Sequence, residues 1–477
     1  MSRRSPVAAV LVALVMLAAA PRPVPAQTAV HAEARDVVRV EAWSFFDPPP
    51  GAGDPDYRFT GHRVSLAVRA GGPRWQGEGE FQYAQLFSLP PRAIGPGGLG
   101  TGAYYYYSAG NTFAYQVYAR RMNVRFSVPG LAVTAGRMGY ESGLEVESGV
   151  AAIERTKRRR LAGRLLSGYD WSIVQRAFDG ARVDVDRGRW RITGAALLPT
   201  QGTYEESATP TIERIVVGAL ALTRRAAPSG AAVETQIFAQ AYRDTRAVTS
   251  RPDNSGRRAT AADVGVVSAG ASAVGRLVTR AGEADWLAWG AAQGGRWYGQ
   301  PHRAWSVALE GGHRWSAAAG RPRIGAGWLR ASGDADPLDG RHGTFFQPLP
   351  DTRRYSATTA WAQMNVNEVF VEASIAPARR LRVEAAMRRV GLASGADRWY
   401  SGSGATARNG GFFGYTTRPA FGATHLGTVV EGQADLRLTR WWSVNGYLGW
   451  MKGGPVVRRS FAGDRLLFGY VENVLHF

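Results

Sequence analysis

The sequence predicts an all-β fold, a transmembrane antiparallel barrel of about eighteen strands with short turns at one end and long loops at the other. Three observations predict it. Apolar and polar residues alternate through about eighteen segments, short and long connections alternate between those segments, and the chain closes on an aromatic strand ending at Phe477.

The N-terminus sets the compartment. Arg3 and Arg4 precede an apolar run from Val7 to Ala20, and Val24-Pro25-Ala26 offers a small-residue cleavage site. Residues 1–26 therefore read as a secretory signal peptide, and 27–477 as a single barrel domain. The Arg3-Arg4 pair fits a twin-arginine export motif poorly. After Ala26 no run of about 18 apolar residues occurs, so a membrane must be crossed by strands. With Cys 0, an exported chain of 477 residues has neither a disulfide framework nor thiolate chemistry. Gly 59, Trp 15 and Tyr 18, with a mean hydropathy of −0.21, suit strands with one lipid face, one wet face and aromatic girdles.

In chain order the alternating segments are Asp36–Phe45, Phe59–Arg69, Arg74–Leu86, Thr112–Phe126, Leu131–Tyr140, Gln175–Asp186, Trp190–Pro199, Thr211–Leu222, Ala232–Arg243, Asp263–Leu277, Asp285–Gly294, Arg303–Trp315, Arg323–Ala331, Asn365–Ser374, Leu381–Leu392, His425–Leu438, Trp441–Met451 and Arg465–Phe477. Tight links (Gly71-Gly72, Pro129-Gly130, Arg187-Gly188, Ala318 to Gly320, Pro377-Ala378, Thr439-Arg440) alternate with long ones (Ser88 to Asn111, Glu141 to Val174, Ser332 to Met364, Ala393 to Thr424). Tight turns belong on the periplasmic side and long loops outside. An even strand count leaves both ends of the barrel periplasmic. On the last segment Leu467, Gly469, Val471, Asn473 and Leu475 form a mostly apolar face opposite Glu472 and His476. A terminal Phe on such a strand resembles the signal read by the outer-membrane assembly machinery, an expected partner alongside outer-membrane lipid and lipopolysaccharide.

The charge is carried by arginine. Lys+Arg 58 against Asp+Glu 38 leaves +20, and Lys157 and Lys452 are the only lysines. A lipid belt cannot hold these charges cheaply, so they belong in lumen, loops and turns, and a pore so lined attracts anions. On individual strands Arg182 and Asp184 alternate with Val183 and Val185, Arg382, Glu384 and Arg388 with Val383 and Met387, and Asp435 and Arg437 with Leu436 and Leu438. Such arginines can brace the wall as ion pairs or bind a carboxylate bidentately.

Several stretches then resemble one family. Ser332-Gly333-Asp334-Ala335-Asp336-Pro337-Leu338-Asp339-Gly340-Arg341, running on to Thr344-Phe345, is similar to the S-G-D-x-D-P-x-D-G-(K/R) stretch of alginate-export barrels. Arg176-Ala177-Phe178-Asp179-Gly180 resembles their R-x-F-D-G strand start, Gly136-Arg137 an earlier strand end, Pro377-Ala378-Arg379-Arg380-Leu381 a periplasmic turn, and His425 to Leu438 with Asn445 to Leu448 the penultimate hairpin. The resemblance implies a barrel whose arginine-lined lumen passes an acidic, alginate-like polysaccharide, with periplasmic export components as further partners. Lumen binding residues are then expected at Arg137, Arg176, Arg182, Arg191, Arg314, Arg330, Arg382, Arg388 and Arg437, with ion-pair or gating carboxylates at Asp179, Asp184, Glu384 and Asp435. Arg176 shares the parity of Arg182. Arg137 shares that of Val133 and Ala135, so its inward placement requires the strand to end or bulge there.

One segment departs from the prototype. Residues 151–166 carry Arg155, Lys157, Arg158, Arg159, Arg160 and Arg164, with Ile153, Leu161, Leu165 and Leu166 at roughly helical spacing. Two placements fit, a helix folded into the pore and a solvated helix touching lipopolysaccharide phosphate outside. Asp334, Asp336 and Asp339 form a weak calcium candidate, since the spacing lacks the EF-hand Gly and terminal Glu; the competing expectation is pairing with lumen arginines. No metal or cofactor is expected. His-Glu-x-x-His, Gly-x-Ser-x-Gly and phosphate-loop patterns are absent, and His313 has no serine two residues away, so an enzyme is not expected. Compartment and pore account for the basic charge without nucleic acid. The expectation is a passive anion-selective channel for an acidic polysaccharide. The alternatives are a general porin for small anions or carbohydrates and a structural barrel closed by its loops.

Overall fold

In a computed structural model of the protein, residues 29–94, 101–257, 261–354, 356–408 and 413–477 are described. The expected signal peptide lies outside them. In chain order the strands are β1 (Ala29–Ser44), β2 (Asp56–Gly71), β3 (Trp75–Phe87), β4 (Ala114–Val128), β5 (Leu131–Met138), β6 (Phe178–Arg187), β7 (Trp190–Pro199), β8 (Ile215–Arg224), β9 (Ala231–Asp244), β10 (Val264–Thr279), β11 (Gly282–Trp297), β12 (Gln300–Trp315), β13 (Arg323–Ala331), β14 (Val366–Ala378), β15 (Leu381–Gly391), β16 (Arg398–Gly402), β17 (Tyr415–Pro419), β18 (His425–Arg437), β19 (Trp442–Gly453) and β20 (Arg465–His476). All but β16 and β17 join one antiparallel sheet of 18 strands, each paired with its chain neighbour. The sheet closes where β1 pairs β20, and hydrogen bonds of 3.1 and 2.8 Å between the Ala34 and Phe477 backbones carry the seam to the last residue. Closure removes every edge, the condition for a sheet in lipid.

Each expected segment coincides with one barrel strand. The exceptions are in the connections and ends. β6 begins at Phe178, three residues after the expected Gln175, because Val174 and Arg176 spend their backbone groups on loop partners, Thr203 N–H to Val174 O and Arg176 N–H to Gly168 O. Inside long loops the structure adds helix α1 (Thr101–Ala109) and the β16–β17 hairpin, neither of which has a strong period. The long loops all gather at one end. One connection at that end is short: Tyr298-Gly299 joins β11 to β12, with φ of 47° and 80°, a two-residue turn with both central residues left-handed.

Inside and outside follow strand parity. Along β9, Glu234, Gln236, Phe238, Gln240, Tyr242 and Asp244 are buried while Val233 and Ile237 are exposed, and the same alternation places Val38, Val183, Val371, Val430 and Val471 on the outer surface. Trp75, Trp190, Trp315, Trp441 and Trp442 ring the short-turn end, and Phe113, Tyr115, Trp305 and Trp450 the other. The apolar core joins inward wall residues, among them Val217, Phe238, Trp289 and Phe468, to residues of the long loops. From the long loops Phe46, Leu166, Phe345, Phe346, Trp399 and Phe461 join that one buried cluster. The loops therefore fold inward, and that inward folding builds the interior described next.

Candidate functional site

The interior is charged by alternation plus one bulge. Odd-numbered residues of β1 face inward, giving Arg35, Arg39 and Glu41; the even face of β14 and β15 gives Glu368, Glu372, Arg382, Glu384 and Arg388. Between β3 and β4 the register slips at Glu80/Phe81, making Arg120 an extra residue. Adjacent Arg120 and Arg121 thereby both turn onto Glu80, at 3.1 and 3.2 Å.

Of the two placements open for residues 151–166, the structure has the pore. Helix α2 (Ala151–Thr156) runs into a wider π-type turn, Lys157–Leu161. Ile153, Leu161, Leu165 and Leu166 are buried in the apolar cluster. The cations reach across the lumen to wall carboxylates: Arg155 to Glu283 (3.1 Å), Lys157 to Glu234 (2.6 Å), Arg159 to Glu372 (3.4 Å) and Arg164 to Glu310 (2.9 Å). Arg160 also bonds Glu310 and Glu372, and Arg159 also bonds Glu384. One basic segment thus pins five strands' worth of inward carboxylates, on β9, β11, β12, β14 and β15. A second loop reinforces it, with Arg353 stacked 3.8 Å over Trp171 and Arg354 3.2 Å from Glu141. Burial pushes the Glu141 carboxyl up to about 7, and Arg354 opposes that shift.

Beside this segment the lumen keeps a cavity of about 740 Å³. Eleven arginines line it against six carboxylates. Some of these arginines are neutralised, as Arg39 is by Glu472 (2.5 Å) and Arg388 by Glu368 (2.9 Å) and Glu431 (2.5 Å). Others are not. Among the described residues Arg35 and Arg63 have no carboxylate within ion-pair reach, and Arg63 donates only to the Ser172 carbonyl. Arg158, more than half exposed, is held only by Glu154 of its own helix (2.8 Å).

A sequence profile of the family described as alginate export matches residues 139–450. The chain belongs to the alginate-export family. No match is found among curated proteins. Among solved structures, Acinetobacter baumannii OccAB1 superposes with a TM-score of 0.59 at 9% identity, covering 94% of this chain and 96% of that one. Pseudomonas aeruginosa OpdO gives 0.56 at 10% identity over 94% and 97%, and the P. aeruginosa outer membrane protein OpdK 0.55 at 9% over 94% and 99%. At that identity the likeness is one of fold. Family and fold are those of outer-membrane channels, and the bacterial outer membrane is the location.

Within this alginate-export barrel the arginines expected in the lumen divide. Arg382 and Arg388 line the large cavity, and Arg182 and Arg191 a smaller one of about 350 Å³. Arg314 faces inward near the foot of β12 beside Arg155, and Arg437 lies at the short-turn mouth. Three expectations are corrected. β5 runs to Met138 in unbroken register with β6, so Arg137 stays on the outer face and grips Asp179 there at 2.7 and 2.8 Å; neither residue lines the lumen. Arg330 shares the outward parity of Ile324 and Trp328, one residue from the loop end of β13. Arg176 points inward but is sealed under loops, donating to the Ala405 carbonyl with no carboxylate in ion-pair reach among the described residues, and burial lowers its pKa to about 10. Of the expected carboxylates, Asp184 receives Arg182 (2.9 Å), Glu384 receives Arg382 (2.6 Å), and Asp435 accepts from Gln433 (3.2 Å).

The loop aspartates do not converge. Asp336 Oδ1 accepts from Leu338 N–H (2.9 Å), Asp339 Oδ1 from Arg341 N–H (2.8 Å), and Asp334 Oδ1 from Asp336 N–H (3.3 Å). Each caps its own turn. Asp334 is buried beside Asp397 and is pushed up to about 6, and Asp339 pairs with the exposed neighbour Arg341, so the expected pairing with lumen arginines is replaced by local contacts. Among the described residues no group of three metal-ligating side chains forms. Sequence reading missed Arg35, Arg39 and Arg63, although parity opposite to the outward Val38 and Val40 would have found the first two. It also missed Arg353 and Arg354, which sit in a loop without any period.

Proposed function

We propose that the protein is a passive, anion-selective outer-membrane conduit that passes an acidic, alginate-like polysaccharide through its arginine-lined lumen. The carrying observation is the arginine-rich lining of the lumen cavity, eleven arginines with six carboxylates, in which Arg35 and Arg63 have no carboxylate within ion-pair reach among the described residues. A polyuronate presents one carboxylate per sugar. Guanidinium groups bind such carboxylates in two parallel hydrogen bonds, and a row of them at the lumen surface holds a chain by many weak contacts that exchange as it slides. The basic segment narrows the path. Its Arg158 is more than half exposed beside the cavity, and a polyanion that binds Arg159 competes with Glu372 and Glu384 for that guanidinium group. No step of this function requires catalysis.

A second reading, a porin for small anions or carbohydrates, is favoured by the cavity itself, since about 740 Å³ suits a small molecule. Purified barrels in planar bilayers separate the two. Polygalacturonate that blocks the current at concentrations where galacturonate does not supports the polymer conduit. Passage of the monomer with indifference to the polymer supports the porin.

A further inference from the structure

We infer that the short-turn mouth of the barrel is a second, separate polyanion site, a loading vestibule that receives the acidic polymer from the periplasm. The inference rests on the conduit reading above and adds where, and from which side, the chain is first held.

The turns at that end, 72–74, 129–130, 188–189, 225–230, 280–281, 316–322, 379–380 and 438–441, carry eight arginines and no Asp or Glu. The loops at the opposite end mix both signs. On one side of the mouth the arginines enclose space: a cavity of about 1090 Å³ is lined by Arg321, Arg379, Arg380, Arg382, Arg437 and Arg440, with Asp435 as its one carboxylate. Of these only Arg382 forms an ion pair among the described residues, with Glu384. Arg380 donates to the Leu438 carbonyl at 3.0 Å, which ties two turns together and fixes the spacing of their guanidinium groups. Arg382, Asp435 and Asn445 line both this cavity and the lumen cavity of about 740 Å³. The mouth site therefore opens into the lumen path, which favours a polymer over the phospholipid headgroups that would meet the barrel's outer rim. Concentrated positive charge of this kind raises the capture rate of an anion, an effect screened beyond about 10 Å at 0.1 M salt.

The test uses the full barrel in planar bilayers. Because the mature chain has no cysteine, Leu338→Cys in an exposed loop, labelled by an impermeant thiol reagent from one side, reports the orientation of insertion. Polygalacturonate is then added to each side in turn. The triple variant R379S/R380S/R440S is expected to lose about tenfold in the blockade on-rate from the short-turn side at 0.1 M salt, with the loop-side rate unchanged. R379K/R380K/R440K, which keeps the charge, is expected to stay within about threefold of wild type, which separates a lost field from a damaged fold. Equal on-rates for wild type and the serine variant from the short-turn side would overturn the vestibule. So would a serine variant altered only in its insertion into anionic bilayers, which would assign the arginines to lipid headgroups. A wild-type barrel that conducts but is blocked from neither side would overturn the conduit reading itself.

Discussion

Replacing Glu372 by Gln removes the carboxylate on which the basic segment most depends. Glu372 is buried on β14 and contacts Arg159, Arg160 and, at 2.6 Å, Arg323. The substitution keeps the shape and leaves three guanidinium groups around a neutral amide. Removing one partner of a buried ion pair costs about 3–5 kcal/mol. Arg159 keeps Glu384, Arg160 keeps Glu310 and Arg323 keeps Asp285, so the lower bound applies. At about 1.4 kcal/mol per decade, the docked segment is weakened by roughly 10²-fold relative to its released state. Single-channel recording reads this directly, as more frequent or longer openings to a larger conductance. E213Q, which touches only the exposed Arg408, serves as the surface control. If E372Q records match wild type in conductance and open time, the segment is not held in the lumen by these pairs. Adding R160M to E372Q should recover part of the loss, because it removes one stranded cation.

Three other outcomes follow from the same geometry. The Glu141 carboxyl is raised to about 7 in the folded loop against a usual 4.5, so the folded state binds the extra proton; docking of the 139–177 loop is strongest below about pH 4.5 and weakens as pH rises to 7. Hydrogen exchange of that loop, corrected for intrinsic rates, should show this dependence and E141Q should abolish it. Arg330→Ala, on the outer face, should leave ion selectivity unchanged, whereas Arg382→Glu, in both cavities, should reduce it several-fold; equal effects would contradict the inward and outward assignments. Deleting Phe477 removes two backbone hydrogen bonds to Ala34 at the closing seam, and heat-modifiable gel mobility should show a lower unfolding temperature and less assembled barrel.

The barrel was legible because a lipid-exposed strand leaves little freedom: its outward residues are mostly apolar, so the period-two signal survives across the eighteen segments. The site was legible only in part. Arg382, Arg388, Arg182 and Arg191 sit within regular strands, where parity alone fixes the side. Arg137 and Arg330 illustrate the failure, since both were expected in the lumen although strand parity points outward in both. Arg176 has inward parity, yet parity carries no information about the loops that cover it. The basic segment could be recognised but not placed, because its partners Glu234, Glu310 and Glu372 are scattered over three strands and only the closed barrel brings them to one lumen. Arg353 and Arg354 belong to an irregular loop held by stacking on Trp171 and by Glu141, contacts with no sequence period.

The reversal potential of purified barrels in a potassium chloride gradient tests the central claim most directly. A lumen in which Arg35 and Arg63 lack a carboxylate partner predicts a potential of the sign set by chloride, diminished by Arg35→Glu and Arg63→Glu together and shrinking as salt is raised. A potential set by potassium, or one that the two substitutions leave unmoved, would contradict it.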